Sequence, residues 1–172
     1  MLYKNVIALS ISLILLISIN SNAQSYETAI GLRLGGISSG ITVKHFMNST
    51  AAMEGILSFN KHSLMLAGLY EKHYPFPKVE GLSWFYGGGA HLGLFNNDYG
   101  YEYFYYKGHH NKVLIIEHAN ADVSFGLDFI IGLDYKITNT PINICLDVKP
   151  FFDLLPGFYG YWEGAFSLRF TF

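Results

Sequence analysis

Three features are scarce or absent in the sequence: charged residues, cysteines and a long apolar run beyond its first twenty residues. Charged residues make up only 14% of its 172 residues, about half the share of an average soluble protein. Cys145 is the single cysteine, which excludes an intramolecular disulfide framework and a cysteine-rich zinc site. No stretch after the first twenty residues is long and apolar enough to predict a membrane-spanning helix. The shortage of charge indicates that something other than water touches much of the surface.

The charges that are present nearly balance, with 11 basic and 13 acidic residues. No basic run predicts nucleic-acid binding, so we expect no nucleic-acid partner. No G-x-S-x-G nucleophile elbow occurs, and no spacing fixes a catalytic triad. We therefore expect no catalytic residue, metal or cofactor. The composition is instead rich in hydrophobic residues, at 51%, and in aromatic residues, at 17%.

The first residues have the order of a secretory signal peptide. Lys4 precedes an apolar run over residues 6–19, and the small residues Ser21 and Ala23 follow it. We predict cleavage after Ala23, which leaves Gln24 as the mature start. An uncleaved N-terminal anchor is the alternative, but nothing charged follows the run to stop transfer.

Beyond residue 24, apolar and polar residues alternate with a period of two in eight segments, separated by Gly, Pro and Asn. This pattern predicts β-strands, each near the roughly ten residues that cross a membrane at a tilt. It is clearest over residues 123–134, and it blurs at His45 and Phe46, where we expect a bulge. The prolines place residues 73–81 in a connection. Residues 153–160 form the last connection. No linker or internal repeat divides the chain.

The two faces of these strands differ in chemistry. One face carries bulky apolar residues and almost no charge, whereas the opposite face mixes charged residues with Gly and Ser. The charged residues of this second face are Arg33, Lys44, Glu54, Glu71, His91, Asp128, Asp147, Lys149, Glu163 and Arg169.

Burying that much charge in a dry core is costly unless the charges pair. The cost falls if the apolar face meets lipid and the charged face lines an interior in which opposite charges pair. Lipid offers no hydrogen bonds to a sheet edge, so the sheet must close. The predicted fold is therefore all-β, an eight-stranded antiparallel up-and-down transmembrane β-barrel.

Aromatic residues lie near the predicted strand ends, where amphipathic rings favour the headgroup zone. They are Tyr70, Trp84, Tyr86, Phe95, Phe152, Tyr161 and Trp162. With an even number of strands, both termini lie at one end of the barrel. We expect that end to face the periplasm and the longest insertion, residues 96–120, to face the outside.

The signal peptide, the eight amphipathic strands and the final FSLRFTF resemble the small outer-membrane β-barrel family of the OmpA/OmpX type. The resemblance implies residues 1–23 as signal peptide and residues 24–172 as one outer-membrane β-barrel domain. It also implies a bacterial outer-membrane location, with outer-membrane lipid as surroundings. In that family the barrel-assembly machinery reads the last strand and its terminal aromatic, a role that Phe170 and Phe172 take by resemblance.

Three functions stay open. The first is a closed or nearly closed barrel with a structural role, or with a recognition role for an unknown extracellular ligand. The second is a narrow, porin-like pore for small solutes, and the third a lipid-modifying enzyme that would use histidines such as His109 and His110. Tyr-rich residues 99–110 are the recognition candidate, unless they only extend the barrel wall. The loop candidates are Tyr101, Tyr103, Tyr105, Tyr106, His109 and His110.

Overall fold

The computed structural model describes residues 26–36, 38–60, 63–95, 101–107, 110–116 and 123–172. For residues 60, 95, 101–107 and 110–116 it describes the backbone only. The predicted signal peptide, residues 1–23, lies outside the described residues. Within the described part of the chain, no helix has the length and apolar character needed to cross a membrane.

Eight of the ten described strands close into a single antiparallel barrel, in the order β1-β10-β9-β8-β5-β4-β3-β2. The closing pair is β1 with β10, from Ala29 opposite Thr171 to Gly35 opposite Ala165. The predicted all-β, eight-stranded antiparallel up-and-down barrel is confirmed. The strands are β1 Thr28–Gly35, β2 Gly40–Phe46, β3 Ala51–Asn60, β4 Ser63–Pro75, β5 Leu82–Phe95, β6 Tyr101–Lys107, β7 His110–Ile116, β8 Val123–Lys136, β9 Ile142–Leu155 and β10 Tyr159–Thr171.

The long insertion between β5 and β8 contains a hairpin of its own. Its strands β6 and β7 pair with each other, from Tyr101 opposite Ile116 to Lys107 opposite His110. They form a separate two-stranded sheet outside the barrel order. The sequence pattern predicted only one long loop here.

Side chains alternate between the outside and the inside of the barrel along each strand, as the pleat requires. Outward Phe125, Phe129 and Leu168 are 38%, 52% and 49% exposed, so they form no enclosed hydrophobic core. On β4, Met65, Leu69 and Glu71 are buried inside while Leu64 and Leu66 are exposed outside, as the sequence predicted. The apolar side chains therefore cover the outer wall.

Two predicted connections are shorter than expected. Strand β4 continues to Pro75, which pairs with Ser83 at the strand end, where a missing N–H group is tolerated. Strand β9 continues to Leu155, so the last connection is confined to residues 156–158. Strand β4 includes the first proline of the predicted 73–81 connection as its last residue, and β9 continues past Pro150.

The predicted bulge at His45 and Phe46 is wrong, because both residues keep regular pairing with β3. The register shift of the barrel lies instead between Phe125 and Gly126, in the pairing of β8 with β9.

We call the end of the barrel that holds Tyr26 and Phe172 the terminal end. It also holds the turns at residues 47–50, 76–81 and 137–141. The opposite end, which we call the loop end, holds the connections at residues 36–39, 61–62, 96–122 and 156–158.

Candidate functional site

All ten charged residues that the sequence assigned to the inner face are buried inside the barrel, and Asp147, at 5%, is the most exposed of them. Three further Asp or His residues of the described chain share the interior: His73, Asp134 and Asp153, each at most 3% exposed. The described interior thus holds seven carboxylates, four Lys or Arg residues and two histidines. Asp134 lies on the polar face of the alternating pattern over residues 123–134. His73 and Asp153 were missed because they lie in the predicted connections 73–81 and 153–160.

Six of these residues form the terminal-end cluster: Lys44, Glu54, Glu71, His73, Asp134 and Arg169. The Lys44 ammonium lies 2.7 Å from Glu71, 3.2 Å from Glu54 and 3.6 Å from Asp134. The Arg169 guanidinium donates to Glu54 and lies 3.5 Å from Asp134. Two cations are therefore shared among three carboxylates.

Neutral donors complete the terminal-end cluster. Asn143 Nδ2 and the Tyr26 hydroxyl donate to Asp134 Oδ2 over 2.7 Å and 3.0 Å. Thr42 donates to Glu54, and Arg169 donates to the Asn143 side-chain oxygen over 3.2 Å. These bonds occupy acceptors that would otherwise be buried without partners.

The other seven residues form the loop-end cluster: Arg33, His91, Asp128, Asp147, Lys149, Asp153 and Glu163. The Arg33 guanidinium binds both Asp147 oxygens, over 2.5 Å and 2.8 Å, which is the bidentate geometry of strong Arg–carboxylate pairs. Lys149 donates to Asp128 over 2.8 Å and lies 3.5 Å from Glu163.

The loop-end cluster is also tied to the β1–β2 connection and to β5. Glu163 accepts hydrogen bonds from the backbone N–H of Ser38, over 2.8 Å, and from the Ser38 hydroxyl. The His91 ring lies between Asp128 and Asp153, with nitrogen–oxygen distances of 2.8 Å and 2.7 Å.

Contacts between aromatic rings accompany each cluster. At the terminal end, Tyr26, Phe46, His73 and Phe85 follow one another with centroid separations of 5.1, 4.8 and 4.9 Å, and the Lys44 ammonium lies 4.3 Å from the Phe85 centroid.

At the loop end, Phe151 contacts His91 and Tyr161 at centroid separations of 5.6 and 5.3 Å, and Lys149 lies over its ring at 4.2 Å. The prediction of Tyr161 as an interfacial residue is wrong, because it points inward and is 8% exposed. An inward Tyr161 follows from the pleat of β10, which directs Tyr161 and Glu163 to the same face.

An apolar patch completes the inner wall. It comprises Ile56, Ala67, Leu69, Phe85, Ile130 and Cys145. Cys145 is buried and its thiol is free.

No ion pair between described residues joins the two clusters. No set of three His, Cys, Asp or Glu among the described residues could hold a metal ion.

The outer wall carries the aromatic residues in two rows. Near the terminal end, Tyr74, Trp84 and Tyr86 stack at 4.8–5.9 Å, and Phe172 is 48% exposed. Near the loop end, Phe158 and Trp162 are each 74% exposed. Phe170 on β10 pairs with Ile30 on β1, and the backbone N–H of Phe172, just after β10, donates to Thr28 O over 2.9 Å. The side chains of Tyr101, Tyr103, Tyr105, Tyr106, His109 and His110 lie outside the described residues.

The fold and the interior define the class of molecule: a small, closed antiparallel barrel with its charges inside and its apolar side chains outside. No family model matches the chain, and no curated protein matches it. Among solved structures it is similar to the crystal structure of Neisserial surface protein A (NspA), with a TM-score of 0.45 and 12% identity. That match covers 84% of this chain and 93% of the other.

Proposed function

We propose that this chain is a small outer-membrane β-barrel protein with a closed lumen, which strengthens the membrane or presents its loop end for recognition. The observation that carries the proposal is the distribution of charge between the two faces of the wall. The interior holds the charged pairs, while the outward positions of the described barrel strands hold only two Lys, Arg, Asp, Glu or His residues. These two, His45 and Lys72, both lie near the terminal end.

The height of the uncharged outer wall fits the apolar layer of a membrane. Tyr135 and Phe125 on β8 are ten residues apart, as are Phe172 and Trp162 on the last strand. Ten residues rise about 25 Å at ~3.3 Å per residue and a tilt of ~40°, close to the apolar band of membrane barrels. The aromatic rows lie at the two borders of this band, where the headgroup zone favours Trp and Tyr.

The packing of the interior supports a closed lumen over a porin-like pore. Arg33, Lys44 and Lys149 are fully buried, and the other charged residues inside are at most 5% exposed. Interior side chains that bind one another and are shielded from water favour a closed lumen. An eight-stranded barrel has about the width that side chains alone can fill.

The connections support one orientation. Turns of four to six residues occupy the terminal end, while the insertion of residues 96–122 occupies the loop end. Membrane barrels have short periplasmic turns and longer external loops, so the terminal end would face the periplasm. In this orientation residues 1–23 act as the signal peptide, Phe170 and Phe172 are read by the barrel-assembly machinery, and the insertion meets any extracellular ligand.

The test is to insert an epitope tag at residue 108 in one variant and at Asn139 in another, and to label intact and permeabilised cells. We expect labelling at residue 108 in intact cells and at Asn139 only after permeabilisation. Unboiled protein should also migrate differently from boiled protein on a detergent gel, because a closed barrel resists unfolding by detergent. A protein that stays monomeric in buffer without detergent would contradict the membrane placement.

The pore alternative has its own measurement. We expect purified protein to give no stable conductance steps in a planar lipid bilayer. Reproducible single-channel steps would contradict the closed lumen while leaving the membrane placement intact.

A further inference from the structure

His91 is the one described side chain that lies between two carboxylates with both of its ring nitrogens in hydrogen-bond range. Nδ1 lies 2.8 Å from Asp128 Oδ2, and Nε2 lies 2.7 Å from Asp153 Oδ1. All three side chains are fully buried. We call these three residues the His91 bridge.

We propose that His91 is held as an imidazolium and that the His91 bridge is an ionic latch that fastens the base of the long insertion to β9. A neutral imidazole donates from one nitrogen only, whereas an imidazolium donates from both. Two carboxylate acceptors, one at each nitrogen, match the doubly protonated ring.

The charges of the loop-end cluster favour the same protonation state. Its four carboxylates are Asp128, Asp147, Asp153 and Glu163, and its Lys and Arg residues are only Arg33 and Lys149. A proton on His91 places a positive charge between the carboxylates of Asp128 and Asp153, and a nearby opposite charge favours the charged form of each group.

The proton shared within the His91 bridge lies on the imidazole of His91 and not on the carboxylate of Asp128 or Asp153. Unperturbed imidazole binds a proton roughly 10²–10³ times more tightly than an unperturbed aspartate does. Asp128 also accepts from Lys149 over 2.8 Å, which favours its charged form. Two described neighbours of the ring are neutral: Ala67 on β4 pairs with His91, and Phe151 contacts the ring.

The backbone is shaped around the ring. A Cβ atom added at Gly126 would lie 2.4 Å from His91 Cε1 and 2.2 Å from the Phe152 carbonyl oxygen. The register shift of β8 against β9 lies at this residue, and beyond it Gly126 pairs with Asp153. Gly126 leaves room for the His91 ring because it has no side chain, and the register shift beside it places Asp153 next to that ring.

The position of the latch suggests what it holds. His91 lies four residues before the end of β5 and Asp128 lies five residues after the start of β8. These are the two strands that border the 96–122 insertion, and Asp153 on β9 contacts His91 directly and Asp128 through the His91 ring. Fastening them just below the insertion would fix its base relative to the barrel.

The protonation state can be read directly by nitrogen NMR of the ¹⁵N-labelled wild-type protein in micelles. The ring signals of His91 are assigned by through-bond correlation to its backbone, so no variant is needed. We expect both ring nitrogens to carry a proton at pH 7 and at pH 8. A ring nitrogen without a proton at pH 7 would overturn the proposal.

The latch is tested by hydrogen exchange of H91Q, with H73Q as the matched control. His73 is the other buried histidine, but it contacts one carboxylate only, Glu71 at 2.9 Å. In H91Q we expect the amides of residues 92–94 and 123–125 to exchange at least ~10-fold faster, because a broken buried ion pair opens locally.

In H73Q the exchange of those amides should be unchanged. Equal exchange of the loop-end amides in H91Q and in the wild type would contradict the latch. If H91Q does not fold, D153N provides the same exchange comparison, since it removes the charge that ties the ring to β9.

Discussion

The two charged clusters of the interior are built from similar parts but are balanced differently. Each contains one Arg, one Lys and one His, and in each the lysine lies over a phenylalanine ring. In the terminal-end cluster, neutral donors also bind the carboxylates, among them Tyr26 and Asn143 at Asp134. The loop-end cluster has one more carboxylate and places a histidine between two of them. One barrel thus uses two solutions to the same problem of buried charge.

The largest loss of stability is expected when one arginine is removed from either cluster. We expect Arg33→Met to lower the free energy of unfolding by about 3–5 kcal/mol, because it leaves the buried Asp147 without its cation. Arg169→Met should cost less, because Lys44 still lies 3.2 Å from Glu54. Urea unfolding of both variants in lipid vesicles, followed by gel migration, gives the comparison. Equal losses would mean that the difference in charge balance has no energetic effect.

The next largest effect concerns the outer wall that encloses both clusters. Phe129 lies outward at the middle of β8 and is 52% exposed. We expect Phe129→Arg to destabilise the barrel in vesicles by about 2–4 kcal/mol, the cost of arginine at the middle of a bilayer. Lys72→Arg, near the terminal end, should change stability by less than about 0.5 kcal/mol. A harmless Phe129→Arg would argue against lipid at this wall.

A smaller difference in stability is expected between alanine substitutions at two glycines near the loop-end cluster. Gly126→Ala should lower stability by about 1–3 kcal/mol, because its new methyl group would overlap His91 and the Phe152 carbonyl. Gly164→Ala points outward, where the nearest atom is 3.9 Å away, and should be neutral within about 0.5 kcal/mol. The same vesicle unfolding assay applies, and similar losses in the two variants would rule out crowding at His91 as the cause.

The smallest effect tests a neutral donor of the terminal-end cluster. Tyr26→Phe removes the hydroxyl that donates to Asp134, and we expect a loss of about 1 kcal/mol. Tyr74→Phe is the control, since its hydroxyl lies on the exposed outer wall, 3.4 Å from that of Tyr86. Thermal migration shifts on detergent gels would compare the two. A Tyr26→Phe variant as stable as Tyr74→Phe would show that the bond from the Tyr26 hydroxyl to Asp134 adds no stability.

Much of the fold could be predicted because apolar and polar residues alternate along each strand, which distinguishes its outer face from its inner face. The pattern of β8 predicted its start at Val123 and its inward Asp128, and the ten charges assigned to the inner face are all buried inside. His73 and Asp153 were missed because they fall in the segments 73–81 and 153–160, which were predicted to be connections. Strand limits depend on partners across the sheet, which a single segment does not contain.

The pairing inside the barrel could not be predicted. Arg33 and Asp147 are 114 residues apart in the chain, and Arg169 and Glu54 are 115 apart. Which charges meet depends on the stagger and closure of the sheet, so sequence alone gave a set of inward charges without partners. The shift at Gly126, which brings Asp153 to His91, also has no signature in the residue pattern.

The most direct test of the central assignment is an accessibility scan with nitroxide labels at the outward positions of β8, residues 125, 127, 129, 131 and 133, in a Cys145→Ala background reconstituted in vesicles. We expect all five labels to contact dissolved oxygen and to exclude a water-soluble relaxing agent, most strongly at residue 129, while a label at Asn139 shows the reverse. Free access of the water-soluble agent to residues 127–131 would mean that water surrounds the wall, and the assignment of lipid outside and paired charge inside would be wrong.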